Sequence, residues 1–77
     1  MYLLLGTSGC HLCEQATSLL AGVALTYTEI DIAEHPEWQA AYAIKIPVLY
    51  HLATGHDLCW PFNHNDLLQF ISELSND

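Results

Sequence analysis

Two thiols separated by two residues, in Gly9-Cys10-His11-Leu12-Cys13, are the side chains of this 77-residue sequence best suited to chemistry. They stand where an apolar run ends and a helical pattern begins, so both fit into the first turn of a helix. There the first sulfur sits at the exposed end, among backbone N–H groups that have no partner within the helix. The second lies about one turn further on, close enough to bond to the first. That geometry suits dithiol–disulfide exchange. The same spacing can also hold two metal-bound thiolates, and spacing alone does not choose between them.

The elements that must position these thiols can be read from the remaining residues. Tyr2-Leu3-Leu4-Leu5, ending at Gly6, has the continuous apolar character of a strand covered on both faces. Thr7 and Ser8 are helix-capping types, and Leu12, Ala16, Leu19, Leu20 and Val23 follow at helical spacing. This predicts a helix from about His11 to Leu20, ended by Gly22. Leu25 to Ile32 is rich in β-branched and aromatic residues and reads as a second strand. Its apolar phase shifts between Tyr27 and Ile30, so the strand is either two-sided or bulged. Pro36 suits the first position of a short helix carrying Trp38, Ala41 and Tyr42 on one side.

Ile46 to Leu52 reads as a third strand with Pro47 at its start, where a missing ladder donor is tolerated. Ala53-Thr54-Gly55-His56 is a turn leading into a fourth strand, Asp57 to Trp60, and Pro61 stops it. Asn63 or Asn65 can cap a last helix in which Leu67, Phe70, Ile71 and Leu74 keep helical spacing. The order β-α-β-α-β-β-α predicts an α/β fold: one domain over residues 1–77, a four-stranded mixed sheet with helices on both faces.

Composition narrows the partners. The formal charge is −8, with nine acidic residues against one base, Lys45. Nucleic acid and anionic membrane surfaces are excluded as partners, because both are bound through clustered Lys and Arg. No segment approaches the roughly 20 apolar residues of a membrane span, and Met1 to Leu5 is too short for a secretory h-region. Three cysteines, two of them close neighbours, do not make a disulfide framework, which points to a cytoplasmic location.

Cys10-His11-Leu12-Cys13 at the start of the first helix, Ile46-Pro47 opening the third strand, and the hairpin and final helix together resemble the thioredoxin fold in its short, glutaredoxin-like form. The resemblance spans essentially the whole chain. Gly6 to Glu14 and Trp60-Pro61-Phe62-Asn63 are most similar to small bacterial glutaredoxin-like proteins with a CxxC motif. It implies a thiol-disulfide oxidoreductase acting on protein or small-molecule disulfides, as a monomer, with no cofactor beyond the cysteine pair. A thiol attacks a disulfide only as thiolate, and a free cysteine has a pKa of about 8.5. The helix N-terminus favours the thiolate of Cys10, the expected nucleophile. Cys13 is the expected resolving thiol.

Pro47 corresponds to the family's cis-proline beside the redox site. A cis Ile46–Pro47 bond would leave the Ile46 backbone N–H and C=O free to pair with an extended substrate segment. His11, when protonated, would favour the Cys10 thiolate, or else it simply faces solvent. Lys45, two residues before Pro47, belongs on the rim of the same site or on a solvated loop, and Cys59 reads as a small core residue. Glutaredoxins usually carry a proline and an aromatic between the cysteines, and a glycine pair with an acidic residue after the fourth strand. Here these are His11-Leu12 and Trp60-Pro61-Phe62-Asn63, so the elements that hold glutathione are largely replaced. Two other readings stay open: a metal-binding module using Cys10 and Cys13, and a non-catalytic interaction domain on the same fold.

Overall fold

In the computed structural model, which describes residues 1–75, Tyr2–Gly6 form β1, His11–Gly22 α1, Tyr27–Asp31 β2, Pro36–Tyr42 α2, Val48–His51 β3, Asp57–Cys59 β4 and His64–Ser75 α3. Residues 76 and 77 of the expected domain lie outside the described ones. Among the described residues the strands form one sheet in the order β2-β1-β3-β4. β1 pairs parallel with β2, from Tyr2 opposite Tyr27 to Gly6 opposite Asp31, and antiparallel with β3, from Tyr2 opposite His51 to Leu5 opposite Val48. The sheet is therefore mixed, as expected.

β1 is apolar at successive positions because the sheet is covered on both sides. Leu4 and its cross-strand partner Leu49 face α1 and α3, packing with Ala16, Leu20, Leu67, Phe70 and Leu74. Leu3, Leu5 and Val48 point to the other side, where Ile32 is buried and Trp38 and Tyr42 of α2 lean in. Leu5, Leu20, Leu49 and Leu67 are completely buried. Each such side chain contributes about 1.5–3 kcal/mol through area removed from water, set against the entropy cost of ordering the chain.

β2 is shorter than the sequence suggests. Its partner β1 ends at Gly6 opposite Asp31, so no ladder remains beyond that point. The Asp31 carboxylate then accepts the Ala33 N–H at 3.0 Å and turns the chain into a 3-10 helix over Ile32–Glu34. The phase shift within the strand reflects two-sided burial. Tyr27 packs on the α1/α3 side and Ile30 on the other, in keeping with strand alternation.

The helix ends also differ in detail. Gly22 is the last residue of α1 rather than its stop, and Ala24, with φ of 53°, takes the left-handed conformation after it. Asn63 is the residue before α3, and its Oδ1 accepts the Asp66 N–H at 2.8 Å. The Asp66 carboxylate returns the bond from the Asn63 N–H at 3.0 Å. This reciprocal pair is a capping box.

Candidate functional site

The loop Thr7–Cys10 carries the chain from the end of β1 into α1. Gly9 has a φ of 71°, a left-handed conformation that glycine takes at little cost. It turns the backbone so that Cys10 becomes the N-cap of α1, with φ −87° and ψ 107°. The sequence places capping on Thr7 and Ser8, but the structure places it on the cysteine itself. Cys10 Sγ accepts the backbone N–H of Cys13 at 3.2 Å, while the Ser8 hydroxyl turns away to donate to the Asp31 carboxylate at 3.4 Å. The cap acceptor has to reach the third residue of the helix, and from Thr7 or Ser8 that residue is out of range.

Cys10 and Cys13 stand at disulfide-bonding distance, with their Cα atoms 5.2 Å apart. Both are half-buried. Cys13 is held from two sides: the Thr17 hydroxyl donates to its carbonyl at 2.9 Å, and Gly6 lies directly against its sulfur. Gly6 did not stand out in the sequence, although a glycine ending an apolar strand is a sign of close approach by another group.

Ile46 and Pro47 lie at the same end of the sheet. Carrying the β1–β3 register one step past Leu5–Val48 sets Pro47 opposite Gly6. The Ile46–Pro47 peptide is cis, as is Trp60–Pro61. Pro47 is completely buried and its carbonyl accepts the Trp60 N–H at 3.0 Å, which ties the end of the hairpin to this edge. Ile46 is half-buried against the α2 side of the core. Trp60 meets Phe62 edge to face, with ring centroids 4.9 Å apart.

A groove of about 280 Å³ opens over the cysteine pair. Its walls are the Thr7–Cys10 loop, Cys13, Glu14 and Thr17 of α1, and Glu29, Ile30 and Asp31 at the end of β2. Three carboxylates and no basic side chain line it, a grouping that only the fold assembles.

His11 and Leu12, between the cysteines, are both exposed. The His11 ring meets Glu14 at 3.5 Å on the surface, with 81% of its side chain accessible. Leu12 is 42% exposed and does not join the core stripe its spacing suggests. Lys45 lies on the α2 side, its Nζ 5.9 Å from the centre of the Tyr42 ring, within cation–π range. Nearby, the Tyr42 hydroxyl donates to the Asp57 carboxylate at 2.6 Å, which holds the phenol proton and pushes its pKa up, with burial adding to the effect. Cys59 packs half-buried against the same core. Burial first, and Asp57 second, push its thiol above the usual range. Among the described residues, no three of His, Cys, Asp and Glu converge as a metal-holding group. No described helix is long and apolar enough to cross a membrane.

The family model of the Glutaredoxin-like domain (DUF836) matches residues 2–72. Among solved structures, the X-ray structure of target protein XcR50 from X. campestris is similar over 95% of this chain and 97% of that one. Its TM-score is 0.85 at 30% identity. The solution structure of XcR50 gives a TM-score of 0.81 at 30% identity, covering 94% of this chain and 92% of that one. Protein Ne2328 from Nitrosomonas europaea shares the fold, with a TM-score of 0.77 at 22% identity over 90% and 87% of the two chains. Comparison with curated proteins finds no match. The element order and these likenesses are those of a thioredoxin-like fold.

Proposed function

The chain belongs to the glutaredoxin-like domain family, and from that premise we propose that it is a thiol-disulfide oxidoreductase working through the Cys10/Cys13 couple. The observation that carries this reading is the Cys13 N–H donated to Cys10 Sγ, within a pair at disulfide-bonding distance at the head of α1. A donor aimed at the first sulfur, together with the positive end of the helix, favours the thiolate over the thiol.

In the reductive direction the Cys10 thiolate attacks one sulfur of a substrate disulfide. A Cys10–substrate disulfide forms, and the other substrate sulfur leaves as a thiolate that takes a proton from solvent. Cys13 then loses its proton and attacks the Cys10 sulfur. The Cys10–Cys13 bond forms and the second substrate sulfur leaves with the electron pair and takes up a proton in its turn. Two electrons and two protons have passed to the substrate, and the oxidative direction is the reverse. The Ile46 backbone, at the Pro47 edge, is proposed to pair with an extended substrate segment in strand fashion.

The groove supports a protein or peptide disulfide with a basic residue near its cysteine as the partner. Glu14, Glu29 and Asp31 disfavour an anionic tripeptide such as glutathione and favour a cationic segment. The cytoplasm is the proposed compartment, a monomer the proposed working form, and no cofactor beyond the dithiol is invoked.

The test is trapping. Reduced Cys13→Ser, mixed with a disulfide-linked peptide carrying lysine beside its cysteine, is expected to gain the mass of one peptide thiol on Cys10. Cys10→Ser is expected to gain none. Absence of the Cys10 adduct sinks the reading.

A further inference from the structure

Gly6 is buried at the C-terminal end of β1, and its backbone lies outside the left-handed region, so chain geometry there admits any L residue. What excludes a side chain is space. A Cβ at Gly6 would lie 2.9 Å from Cys13 Sγ and 3.5 Å from Cys13 Cβ. Non-bonded heavy atoms settle at roughly 3.5–4.0 Å, so the first of these distances is a clash and the second is ordinary contact. The clash is with one atom, and that atom is half of the redox couple.

We propose, building on the reading of Cys10 and Cys13 as that couple, that Gly6 is a positioning residue that makes room for the Cys13 sulfur to close onto Cys10. The reason lies in what the sulfur can do in each state. In the disulfide, Cys13 Sγ is bonded to Cys10 Sγ, and Cys10 is fixed as the N-cap of α1. The Cys13 backbone is fixed in the same helix, with its carbonyl held by Thr17. A methyl group at position 6 would press on a sulfur that cannot retreat. In the dithiol the tether is gone, and Cys13 Sγ can rotate to another staggered position, removing the clash. The crowding therefore falls on the oxidised state alone, and glycine is the residue that leaves the disulfide unopposed.

The exchange that reads this out is the reaction of oxidised protein with reduced dithiothreitol. The Cys10–Cys13 bond breaks, both sulfurs become thiols with the two protons and two electrons of the dithiothreitol thiols, and dithiothreitol closes to its cyclic disulfide. In a dithiothreitol redox buffer, Gly6→Ala is expected to shift this equilibrium about tenfold toward the protein dithiol, about 30 mV for a two-electron couple. Gly22→Ala, where an added Cβ meets nothing within 4 Å, is expected to leave it unchanged.

A purely structural role for Gly6 would weaken both redox states equally and leave the equilibrium where it was. Unfolding in urea therefore supplies the second measurement. Gly6→Ala is expected to lower the midpoint of the oxidised protein, but not that of the reduced protein or of a Cys13→Ala background. Failure of oxidised Gly6→Ala to fold, with folding retained in Cys13→Ala, supports the proposal equally. An equilibrium within twofold of wild type, or equal losses in all three backgrounds, overturns it while the redox reading stands. A wild-type protein that forms no Cys10–Cys13 disulfide at any buffer ratio overturns that reading and the proposal with it.

Discussion

The backbone N–H of Cys13 donates to the sulfur of Cys10 at 3.2 Å, so the first cysteine of the pair caps the helix that carries the second. An N-cap acceptor satisfies one of the orphan donors at a helix start, and here that acceptor is the atom proposed to attack. A bond that serves the helix and a bond that favours negative charge on sulfur are the same bond.

Cys10 is therefore expected to be the fastest of the three thiols to alkylate in the reduced protein. At about pH 6, where an ordinary thiol is almost wholly protonated, iodoacetamide should modify Cys10 at least tenfold faster than Cys59. Cys59 is disfavoured twice, by half-burial and by a pKa pushed above the usual thiol range. Peptide mapping of the singly labelled product checks this. Preferential label on Cys59 would count against the thiolate role of Cys10.

Charge in the groove should sort small disulfides. Cystamine, a dication, is expected to oxidise the reduced protein several-fold faster than anionic oxidised glutathione at about 10 mM salt. The ratio should shrink as salt approaches about 1 M, where the Debye length falls to about 3 Å. Neutralising Glu29 and Asp31, as Glu29→Gln with Asp31→Asn, should lower the same ratio at low salt. A ratio that ignores both salt and substitution would show that the groove carboxylates do not meet the incoming disulfide.

Tyr42 and Asp57 link α2 to β4, and the link depends on a proton. The phenol's pKa is raised in the folded state, so in the range above its ordinary value of about 10 the unfolded chain holds fewer protons than the folded one. Stability is then lost as pH rises through that range. Below the ordinary value the contribution is fully present. Urea unfolding between roughly pH 8 and 11 should show this decline. Tyr42→Phe should make it shallower without abolishing it, because Cys59 and Tyr2 are also raised, Tyr2 by burial. An unchanged slope in Tyr42→Phe would rule out this linkage.

Two glycines should respond in opposite directions to alanine. Gly22 ends α1 with open space around it, and Gly22→Ala should stabilise the fold by about 0.5–1 kcal/mol through helix propensity. Gly9 sits at φ 71°, where Gly9→Ala should cost about 1–2 kcal/mol and disturb the approach to Cys10. Denaturant midpoints of the two variants check both signs.

Much of the architecture was legible because it is written in local periodicity. The run Leu3-Leu4-Leu5 and the spacing of Leu67, Phe70, Ile71 and Leu74 each follow from the face a strand or helix must bury, and the element order follows from them. Boundaries were less legible, since they depend on a partner. β2 stops at Asp31 because β1 stops at Gly6, a fact about another strand.

The sequence by itself determined the dithiol motif, the order of elements and the acidity of the chain. Each of these is a property of neighbouring residues or of composition. The tertiary structure alone decided that Gly6 abuts the Cys13 sulfur, that the cap of α1 is Cys10 itself, and that Glu14, Glu29 and Asp31 gather over the cysteine pair. Two of these are relations across the fold, between groups brought together by the parallel pairing of β1 with β2 and the packing of α1 on the sheet. The third depends on the left-handed turn at Gly9, a backbone choice that glycine allows but does not compel.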